Sequence, residues 1–426
     1  MFKIQTIQID GFWGKFRLIT DLNDDINIFI GRNGTGKTTL INFLQAIMTA
    51  DLDLLASLQF DTVKLLLKDY DKTRTIEVSR MPDEVEYGMV KYRIGRHSVP
   101  LPLLPREMEY RRRRLHPKFL NSLNEVRESL GKLATIVWIS VYRELLEDEY
   151  REPFSHRPTY EKNPIDRRLD DLANRFTQYQ LQLQSEINHL SDSFRNKVLA
   201  SMLYNESFDK FSLGQEGNLD LAKVKKGLLH TYEELGALEP EVSKSIDNHI
   251  QKIAKAIQLR KDFDPSKNQR ITIDDLLPLS LLRRTQHIVD LSTEVENQKK
   301  AIFEPVDSYL NILRDFAIGK NFKLDSKLSG ELQVQLGDKI LPLDQLSSGE
   351  KQLLILFTEA LLQKKQRCVF IADEPELSLH IEWQRKVIDT IRSLNPNSQL
   401  IVATHSPEIA GHWRSKLIRM EDIVHS

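Results

Sequence analysis

One segment, INIFIGRNGTGKTTLINFLQAIM at residues 26–48, restricts the fold of this chain more than any other. A short apolar run comes first, a glycine-rich loop follows, and an apolar stretch of helix-forming residues ends the segment. The loop fits the spacing G-x-x-x-x-G-K-[ST], which requires a buried strand before it and a helix after it. Gly31, Gly34 and Gly36 permit backbone angles that turn successive N–H groups inward, and the helix N-terminus adds partial positive charge. The segment therefore predicts a strand, a phosphate-binding loop and a helix.

The side chains of this loop indicate how it would hold the phosphates of a nucleotide. Lys37 stands where a lysine reaches the β- and γ-phosphates of ATP, and Thr38 stands where a hydroxyl binds Mg²⁺. Nucleotide phosphates and Mg²⁺ are therefore the expected ligands, and the family resemblance described below implies ATP as the nucleotide. The expected ATP-binding residues are Arg32, Asn33, Gly34, Thr35, Gly36, Lys37, Thr38 and Thr39.

Two later segments place acid–base side chains directly after apolar strands. In VFIADEPELSLH the strand ends in two adjacent carboxylates. Asp373 is expected to join Thr38 in binding Mg²⁺. Glu374 is expected to orient and polarise the attacking water, a role worth about 10²–10⁴-fold in rate. In ATHSP, His405 follows another strand and is expected to contact the γ-phosphate or the attacking water, so Glu374 and His405 are the predicted catalytic residues.

Strand and helix signals alternate at both ends of the chain, which predicts an α/β fold with a parallel sheet. Residues 75–98 add a β-meander to the N-terminal part. Between the two α/β parts lies helical, charged sequence. The expected domains are residues 1–160, the N-terminal half of the α/β domain; residues 161–318, a helical insertion; and residues 319–426, the C-terminal half.

Two rows of apolar residues in and beside the insertion recur at helical spacing and predict two long helices. Such rows fit a compact helical bundle or short arm, and they also fit an antiparallel coiled-coil arm whose limbs pair the rows. The first row is Leu169, Leu172, Phe176, Tyr179, Leu183, Ile187, Leu190 and Phe194. The second row is Ile288, Leu291, Val295, Ile302, Val306, Tyr309 and Leu313.

The segment LDQLSSGEKQLLIL is a polar turn followed by a helix and has the make-up of a second phosphate-binding loop. The chain thus carries four motifs in a fixed order: the loop 31–38, Leu346-Ser347-Ser348-Gly349-Glu350, Asp373-Glu374 and His405. This order resembles that of ABC-type ATPases. DEPELSLH with ATHSP is similar to the SMC/RecF-like and OLD-like branch and resembles the ATPase subunits of bacterial anti-phage defence systems such as Septu, PARIS and retrons. The resemblance implies an ABC-type ATPase head assembled from N- and C-terminal halves, with a helical insertion between them.

In proteins of this type two heads meet around ATP, so the resemblance implies a homodimer of heads or a higher homo-oligomer. The loop of one head and the signature of the other then hold the same nucleotide, which explains two phosphate-binding elements so far apart in one chain. Ser378-Leu379-His380 resembles the D-loop along that interface. The implied signature residues are Ser347, Ser348, Gly349 and Glu350, with Ser348 in place of the first glycine of LSGGQ or LSGGE.

One element of the family pattern is missing. The family places a glutamine near Mg²⁺, after a later strand of the N-terminal half. The corresponding segment, WISVYRELL, holds Ser140, Arg143 and Glu144 but no glutamine. The residue that takes this role is left open.

The resemblance implies an ATP-driven switch, in which ATP joins two heads, hydrolysis releases them and the helical insertion is repositioned. For an anti-phage ATPase it implies a sensor or regulatory subunit that controls a separate nuclease or toxin. Two alternatives stay open. One is a RecF-like ATPase of DNA repair and recombination, and the other is a scaffold that uses ATP only as glue and does not hydrolyse it.

Charge and hydropathy restrict the partners further. The chain has 60 Lys and Arg against 61 Asp and Glu, a net charge of −1, so any basic surface must be local. The run Arg111, Arg112, Arg113 and Arg114 is a candidate DNA or RNA contact; the alternative is a solvated charged helix or a contact to an acidic partner. A single cysteine, Cys368, excludes an internal disulfide and fits a reducing compartment. No segment reaches the roughly 18–20 apolar residues of a membrane span, so a cytoplasmic protein is expected.

Overall fold

A computed structural model describes most of the chain in two compact units. The head unit comprises residues 1–178 and 308–426, and the helical unit comprises residues 179–307. These boundaries lie inside two long helices, and the domain boundaries expected from the sequence stay a prediction. The described residues are 1–82, 88–103, 117–140, 163–203, 220–262, 272–317, 319–325 and 330–425.

Strands and helices are numbered here in chain order. The strands are β1 Lys3–Phe12, β2 Phe16–Asp21, β3 Ile26–Ile30, β4 Thr62–Asp69, β5 Lys72–Arg80, β6 Met89–Ile94, β7 His97–Pro102, β8 Ile136–Ser140, β9 Asn321–Leu324, β10 Leu332–Leu336, β11 Lys339–Leu341, β12 Val369–Asp373, β13 Gln399–Ala403, β14 Leu417–Arg419 and β15 Val424–His425. The helices are α1 Lys37–Thr49, α2 Leu52–Ser57, α3 Pro117–Leu133, α4 Pro164–Ser201, α5 Leu221–Glu234, α6 Pro240–Lys261, α7 Ile273–Phe316, α8 Ser348–Leu362, α9 Ile381–Leu394 and α10 Met420–Ile423.

A parallel sheet of five strands forms the centre of the head unit, in the order β14-β3-β13-β12-β8. Every neighbouring pair in this sheet is parallel. Its strands are short apolar runs: INIFI in β3 and VFIAD in β12 each have four buried residues out of five. Such runs suit strands covered on both faces. Strand β3 comes from the N-terminal part of the chain and its neighbours β13 and β14 from the C-terminal part, so the predicted α/β head built from both halves is confirmed.

A seven-stranded antiparallel sheet combines six strands of the N-terminal part with β15 of the C-terminal part, in the order β15-β2-β1-β4-β5-β6-β7. The predicted meander over residues 75–98 is confirmed as β5, β6 and β7, although β5 begins earlier and β7 ends later. Strand β4 is not part of that prediction. Its side chains alternate between buried and exposed, but Leu65, Leu66 and Leu67 stand side by side and hide the period of two in the sequence.

Gln399 joins the two sheets. This side chain of β13 is fully buried. Its Oε1 accepts a hydrogen bond from the Ile4 N–H of β1 at 2.8 Å, and its Nε2 donates to the Ile4 carbonyl at 2.7 Å and to the Asn23 carbonyl at 2.9 Å. All the polar atoms of the side chain are therefore engaged, as a buried amide requires.

Helix α8, which follows the predicted signature, is anchored by charged side chains of α4 within the head unit. Glu359 is 2% exposed and forms ion pairs with Arg168 and Arg175, the latter at 3.0 Å. Lys351 pairs with Asp166 at 2.6 Å. Glu359 is the buried member of this group, and its charge would be uncompensated without the arginines of α4, so these contacts tie α8 to α4.

The helical unit contains α5, α6 and the adjoining parts of α4 and α7. Residues from both predicted apolar rows meet in one cluster, which is the contact expected of a compact bundle and of an antiparallel arm alike. Its buried members are Phe194, Val198 and Val295, with Leu190, Leu235, Ile288 and Leu291 packed around them.

Candidate nucleotide site

The predicted phosphate loop lies between β3 and α1, in the context that its spacing requires. Gly34 and Gly36 have φ angles of 81° and 95°, and Gly36 is the N-cap of α1. A Cβ atom at Gly36 would lie 2.7 Å from a ring carbon of Phe12. Both the backbone angle and the lack of space therefore require glycine at this position. The N–H groups of the loop lie at the N-terminus of α1, where an anion is favoured.

Lys37 is buried beneath this loop and is held by the loop itself. Its ammonium donates to the carbonyls of Gly31 at 2.9 Å and Arg32 at 3.2 Å. Its Nζ also lies 3.3 Å from Nδ1 of His405. Burial lowers the pKa of Lys37, and the carboxylates of Glu374 and Asp373 act in the opposite direction. In binding a nucleotide, the ammonium would exchange carbonyl oxygens for phosphate oxygens.

Two oxygen-bearing side chains meet where a magnesium ion is expected. The Thr38 hydroxyl at the start of α1 donates to Oδ1 of Asp373, at the end of β12, over 3.5 Å. Oxygen ligands suit Mg²⁺, which usually takes few from the protein and the rest from phosphates and water. The pair therefore fits a magnesium ion shared with a nucleotide.

Glu374 and His405 are brought together by the pairing of β12 and β13. Glu374 has a φ of 48°, and its N–H donates to the Ala403 carbonyl at 2.8 Å. Nε2 of His405 lies 3.2 Å from Oε1 of Glu374. Because the Lys37 ammonium can only donate, Nδ1 of His405 must accept, and the ring proton then lies on Nε2 and points to Glu374. The three side chains form one chain of contacts, and the left-handed backbone at Glu374 is a strain often found at active sites.

Glu376 also belongs to this site, although the sequence motifs do not assign it a role. It is 7% exposed. Its Oε1 accepts the N–H groups of His405 at 2.8 Å and Ser406 at 3.2 Å and the hydroxyl of Thr404. In the sequence, Glu376 stands out only as an acidic residue after Pro375. An acidic side chain at such a position would ordinarily be expected to face solvent, so the sequence does not indicate its burial.

A second carboxylate missing from the sequence prediction belongs to α10. Oε1 of Glu421 accepts the N–H of Arg32 at 3.2 Å. Backbone hydrogen bonds, its own N–H first and that of Arg32 next, lower the pKa of Glu421. The C-terminal part of the chain therefore contacts the phosphate loop directly.

The predicted signature begins helix α8. Ser347 is the N-cap, and it forms a reciprocal capping box with Glu350: the Ser347 N–H donates to Oε2 of Glu350 at 2.9 Å, and the Glu350 N–H donates to Oγ of Ser347 at 3.4 Å. Lys320 donates to both carboxylate oxygens of Glu350 at 2.6 Å. Burial alone would raise the pKa of Glu350, but the hydrogen bonds from Lys320 and Ser347 hold it below its ordinary value. Ser347 and Ser348 are exposed.

Gly349 links the signature to the segment that resembles the D-loop. It is buried, and a Cβ atom on it would lie 2.5 Å from the carbonyl oxygen of Ser378 and 3.3 Å from the Trp383 ring. Ser378 itself has a φ of 66°. The first turn of α8 and this segment therefore pack backbone to backbone.

The structure thus brings Lys37, Thr38, Asp373, Glu374 and His405 into one cluster, and the roles expected of them stay predictions. Thr35 donates to the Arg32 carbonyl at 2.9 Å, and Arg32 and Asn33 are exposed.

Of the remaining residues singled out in the sequence, one lies beside the site and the others are not described by the structure. Ser140 ends β8, beside Asp373 in the parallel register. Arg111–Arg114, Arg143 and Glu144 lie outside the described residues. In the described part of the chain, no helix has the length and hydropathy needed to cross a membrane.

Known proteins resemble this chain in sequence. A family described as AAA ATPase domain matches residues 2–410. Structural maintenance of chromosomes protein 3 of Caenorhabditis elegans is 25% identical over 234 residues, which cover 50% of this chain and 18% of that protein. The Retron Vc95 probable ATPase of Vibrio cholerae serotype O1 biovar El Tor is 25% identical over 134 residues, which cover 29% of this chain and 25% of that protein. The chain therefore spans a quarter or less of the length of these relatives.

Two solved structures align with nearly the whole length of this chain. One is the Smc head domain with an extended coiled coil bound to the C-terminal domain of ScpA, from Pyrococcus furiosus. Its TM-score is 0.44 and its sequence identity is 14%, and the match covers 98% of this chain and 93% of that one. Another is the Smc head domain with a coiled coil and joint from Pyrococcus yayanosii, with a TM-score of 0.46 and 13% identity over 98% and 95%.

Proposed function

The chain belongs to the AAA ATPase domain family, and from this premise we propose that it binds ATP with Mg²⁺ at residues 31–38 and hydrolyses it. The predicted resemblance to SMC-type ATPases and to those of anti-phage defence is confirmed by its relatives. The observation that carries hydrolysis is the chain of contacts from Lys37 through His405 to Glu374. It joins the lysine proposed to bind phosphate to the carboxylate proposed to act on water.

Each side chain has a part in the proposed reaction. Lys37 exchanges its loop carbonyls for the β- and γ-phosphate oxygens. Thr38 and Asp373 would hold Mg²⁺, which would supply positive charge against the phosphates. Glu374 orients a water molecule and takes its proton as the water oxygen bonds to the γ-phosphorus. The bond from that phosphorus to the bridging oxygen of ADP breaks, and ADP and phosphate leave. His405 donates from Nε2 to Glu374 and holds its carboxylate in place.

We propose that the complete site needs a second copy of the chain. Ser347 and Ser348 are exposed at the N-terminus of α8, where N–H groups and the helix dipole favour an anion. The resemblance to ABC-type ATPases supports placing this signature against the γ-phosphate bound by a partner head. ATP would then join two heads, as a homodimer or within a higher homo-oligomer, and hydrolysis would release them.

The proposed setting is bacterial defence against phage, with this ATPase as the regulatory subunit of a separate nuclease or toxin. The likeness to the Retron Vc95 probable ATPase supports it. The second candidate is a RecF-like ATPase of DNA repair, which the likeness to structural maintenance of chromosomes protein 3 favours. Co-purification from native cells separates them, because the first candidate brings down a nuclease or toxin and the second brings down DNA-repair proteins.

Phosphate release from ATP in the presence of Mg²⁺ tests hydrolysis. Lys37→Ala should abolish nucleotide binding, whereas Glu374→Gln should bind ATP and turn over about 10²-fold or more slowly, because the phosphate contacts survive and the base does not. Glu382→Gln is the matched control, since Glu382 is exposed on the nearby helix α9. Unchanged turnover in Glu374→Gln would refute the assignment. ATP binding without any turnover in the unmodified protein would leave the non-hydrolysing scaffold.

A further inference from the structure

We propose that Glu376 is the positioning residue of the candidate catalytic histidine. Its carboxylate fixes the backbone of residues 404–406 and thereby holds the His405 ring between Lys37 and Glu374. The kinetic consequence of this role rests on the proposed ATP hydrolysis, but the geometry does not.

The contacts of Glu376 converge on one short segment. A single oxygen, Oε1, accepts the N–H groups of two successive residues, His405 at 2.8 Å and Ser406 at 3.2 Å, together with the Thr404 hydroxyl. Thr404 is fully buried and Glu376 is 7% exposed. The Ser406 N–H also donates to Oγ1 of Thr404 at 2.9 Å, and that hydroxyl in turn donates to Glu376. Glu376 is thus the acceptor on which the contacts of both peptide planes beside His405 converge, and it helps to set the direction of the His405 Cα–Cβ bond.

The position of the His405 ring depends on its backbone, because the ring itself is only loosely packed. The flanking residues have further contacts, from the Thr404 N–H to the Phe29 carbonyl and from the Ser406 hydroxyl to Gln384, but Glu376 is the side chain that accepts the N–H of His405 itself. The His405 side chain is 37% exposed. Its two ring contacts, 3.3 Å from Nδ1 to Lys37 and 3.2 Å from Nε2 to Glu374, are at the long end of hydrogen-bond distances. A backbone shift of about half an ångström would therefore break one or both. Fixing the segment is a condition for the ring to bridge lysine and carboxylate.

Charge offers a competing explanation. Glu376 lies near the ammonium of Lys37, and its negative charge acts on that group. Its second oxygen, Oε2, is buried and makes no hydrogen bond with the described residues. A positioning role needs only an acceptor at Oε1, which an amide also provides, whereas an electrostatic role needs the carboxylate charge.

Two substitutions separate these explanations. Glu376→Gln keeps the chain length and an acceptor oxygen but removes the charge. Glu376→Asp keeps the charge but withdraws the acceptor by one methylene. If Glu376 positions His405, kcat for ATP hydrolysis in Glu376→Asp falls about tenfold or more below that of Glu376→Gln, with KM changed much less. The reverse order, with the aspartate variant the more active, would overturn the proposal in favour of charge.

A second comparison tests whether Glu376 acts through the histidine. In a His405→Ala background, the difference between the Gln and Asp variants should disappear, because the ring that they position is gone. If the same fold-difference persists in that background, Glu376 acts independently and the proposal is wrong. Thermal unfolding and ATP binding measured for each variant identify any that fails to fold.

A readout without ATP keeps this proposal separate from hydrolysis. In the nucleotide-free protein, ¹⁵N NMR of the histidine rings should show one ring held with its proton on Nε2, assigned by its absence in His405→Ala. That signal should be retained in Glu376→Gln and should shift towards the average of both tautomers in Glu376→Asp. A protein that hydrolyses no ATP but shows this pattern would refute the proposed function and not the positioning. An identical His405 signal in both variants would refute the positioning.

Discussion

Gly349→Ala tests whether the signature helix and the segment around Ser378 touch as closely as the structure has them. The new Cβ would lie 2.5 Å from the Ser378 carbonyl oxygen, about 0.9 Å short of the 3.4 Å where ordinary contact begins. Backbone must move, and overpacking of this kind costs about 1–3 kcal/mol. Alanine also favours a helix over glycine by about 0.8–1.0 kcal/mol. The sum predicts a loss of about 0–2 kcal/mol in the free energy of unfolding.

Gly131→Ala is the matched control. Gly131 also lies within a helix, α3, and nothing lies within 4 Å of its added Cβ, so this variant should gain about 0.5–1 kcal/mol. Urea unfolding followed by tryptophan fluorescence measures both, with Trp383 beside Gly349 as a local reporter. ATP turnover should fall about tenfold or more in Gly349→Ala alone, because displacements near 1 Å disturb reacting groups. If Gly349→Ala stabilises the protein as Gly131→Ala does and turns over normally, the close packing is refuted.

Three further predictions concern the second head, nucleic acid and pH. Ser347→Arg and Lys37→Ala subunits should each be inactive alone and should regain part of the ATP hydrolysis when mixed. The reason is that the first supplies an intact phosphate loop and the second an intact signature. Confirmed heterodimers with neither trapped ATP nor turnover would contradict a signature that acts in trans. Replacing Arg111–Arg114 by Ser should weaken DNA or RNA binding and flatten its salt dependence, and equal binding at every salt concentration returns the run to a solvated surface. Lys320→Met should cost about 1–3 kcal/mol at pH 7, because it removes two hydrogen bonds to the Glu350 carboxylate. The folded-state pKa of Glu350 lies below 4.5, so the contribution of Lys320 is present above pH 4.5 and is lost as the pH falls through the folded pKa. Denaturation curves of the unmodified protein and Lys320→Met that stay equally separated down to pH 2 would contradict this prediction.

The local motifs could be read from the sequence because their chemistry depends on spacing along the chain. The loop needs only a strand, glycines and a helix in succession, and β3 and α1 stand where that spacing put them. The adjacent carboxylates after β12 and the histidine after β13 follow from the same rule, since parallel strands end at one edge of a sheet.

Contacts between distant segments could not be predicted in this way. Glu376 acquires its partners only because β12 lies beside β13, and Glu421 reaches Arg32 only because the chain returns past β3. A single sequence carries no signal for strand order. Strand β4 was hidden for a different reason, because three adjacent leucines mask its alternation. The two apolar rows predicted the helices α4 and α7. The ion pairs that Glu359 forms with α4 could not be predicted, because they depend on how the folded chain places α8 beside α4.

The order of strands in the parallel sheet has a consequence for how the chain is made. Strand β3 is complete at residue 30, while its neighbours β13 and β14 begin at residues 399 and 417. At about 5–20 residues per second, the ribosome needs roughly 20 to 70 seconds to add the first of these partners. Throughout that interval β3 lacks both of its sheet neighbours, whereas α1 can already pack against the early strands of the seven-stranded sheet. Until then both edges of β3 stay unpaired, and an unpaired apolar strand is the kind of segment that promotes misassembly during synthesis.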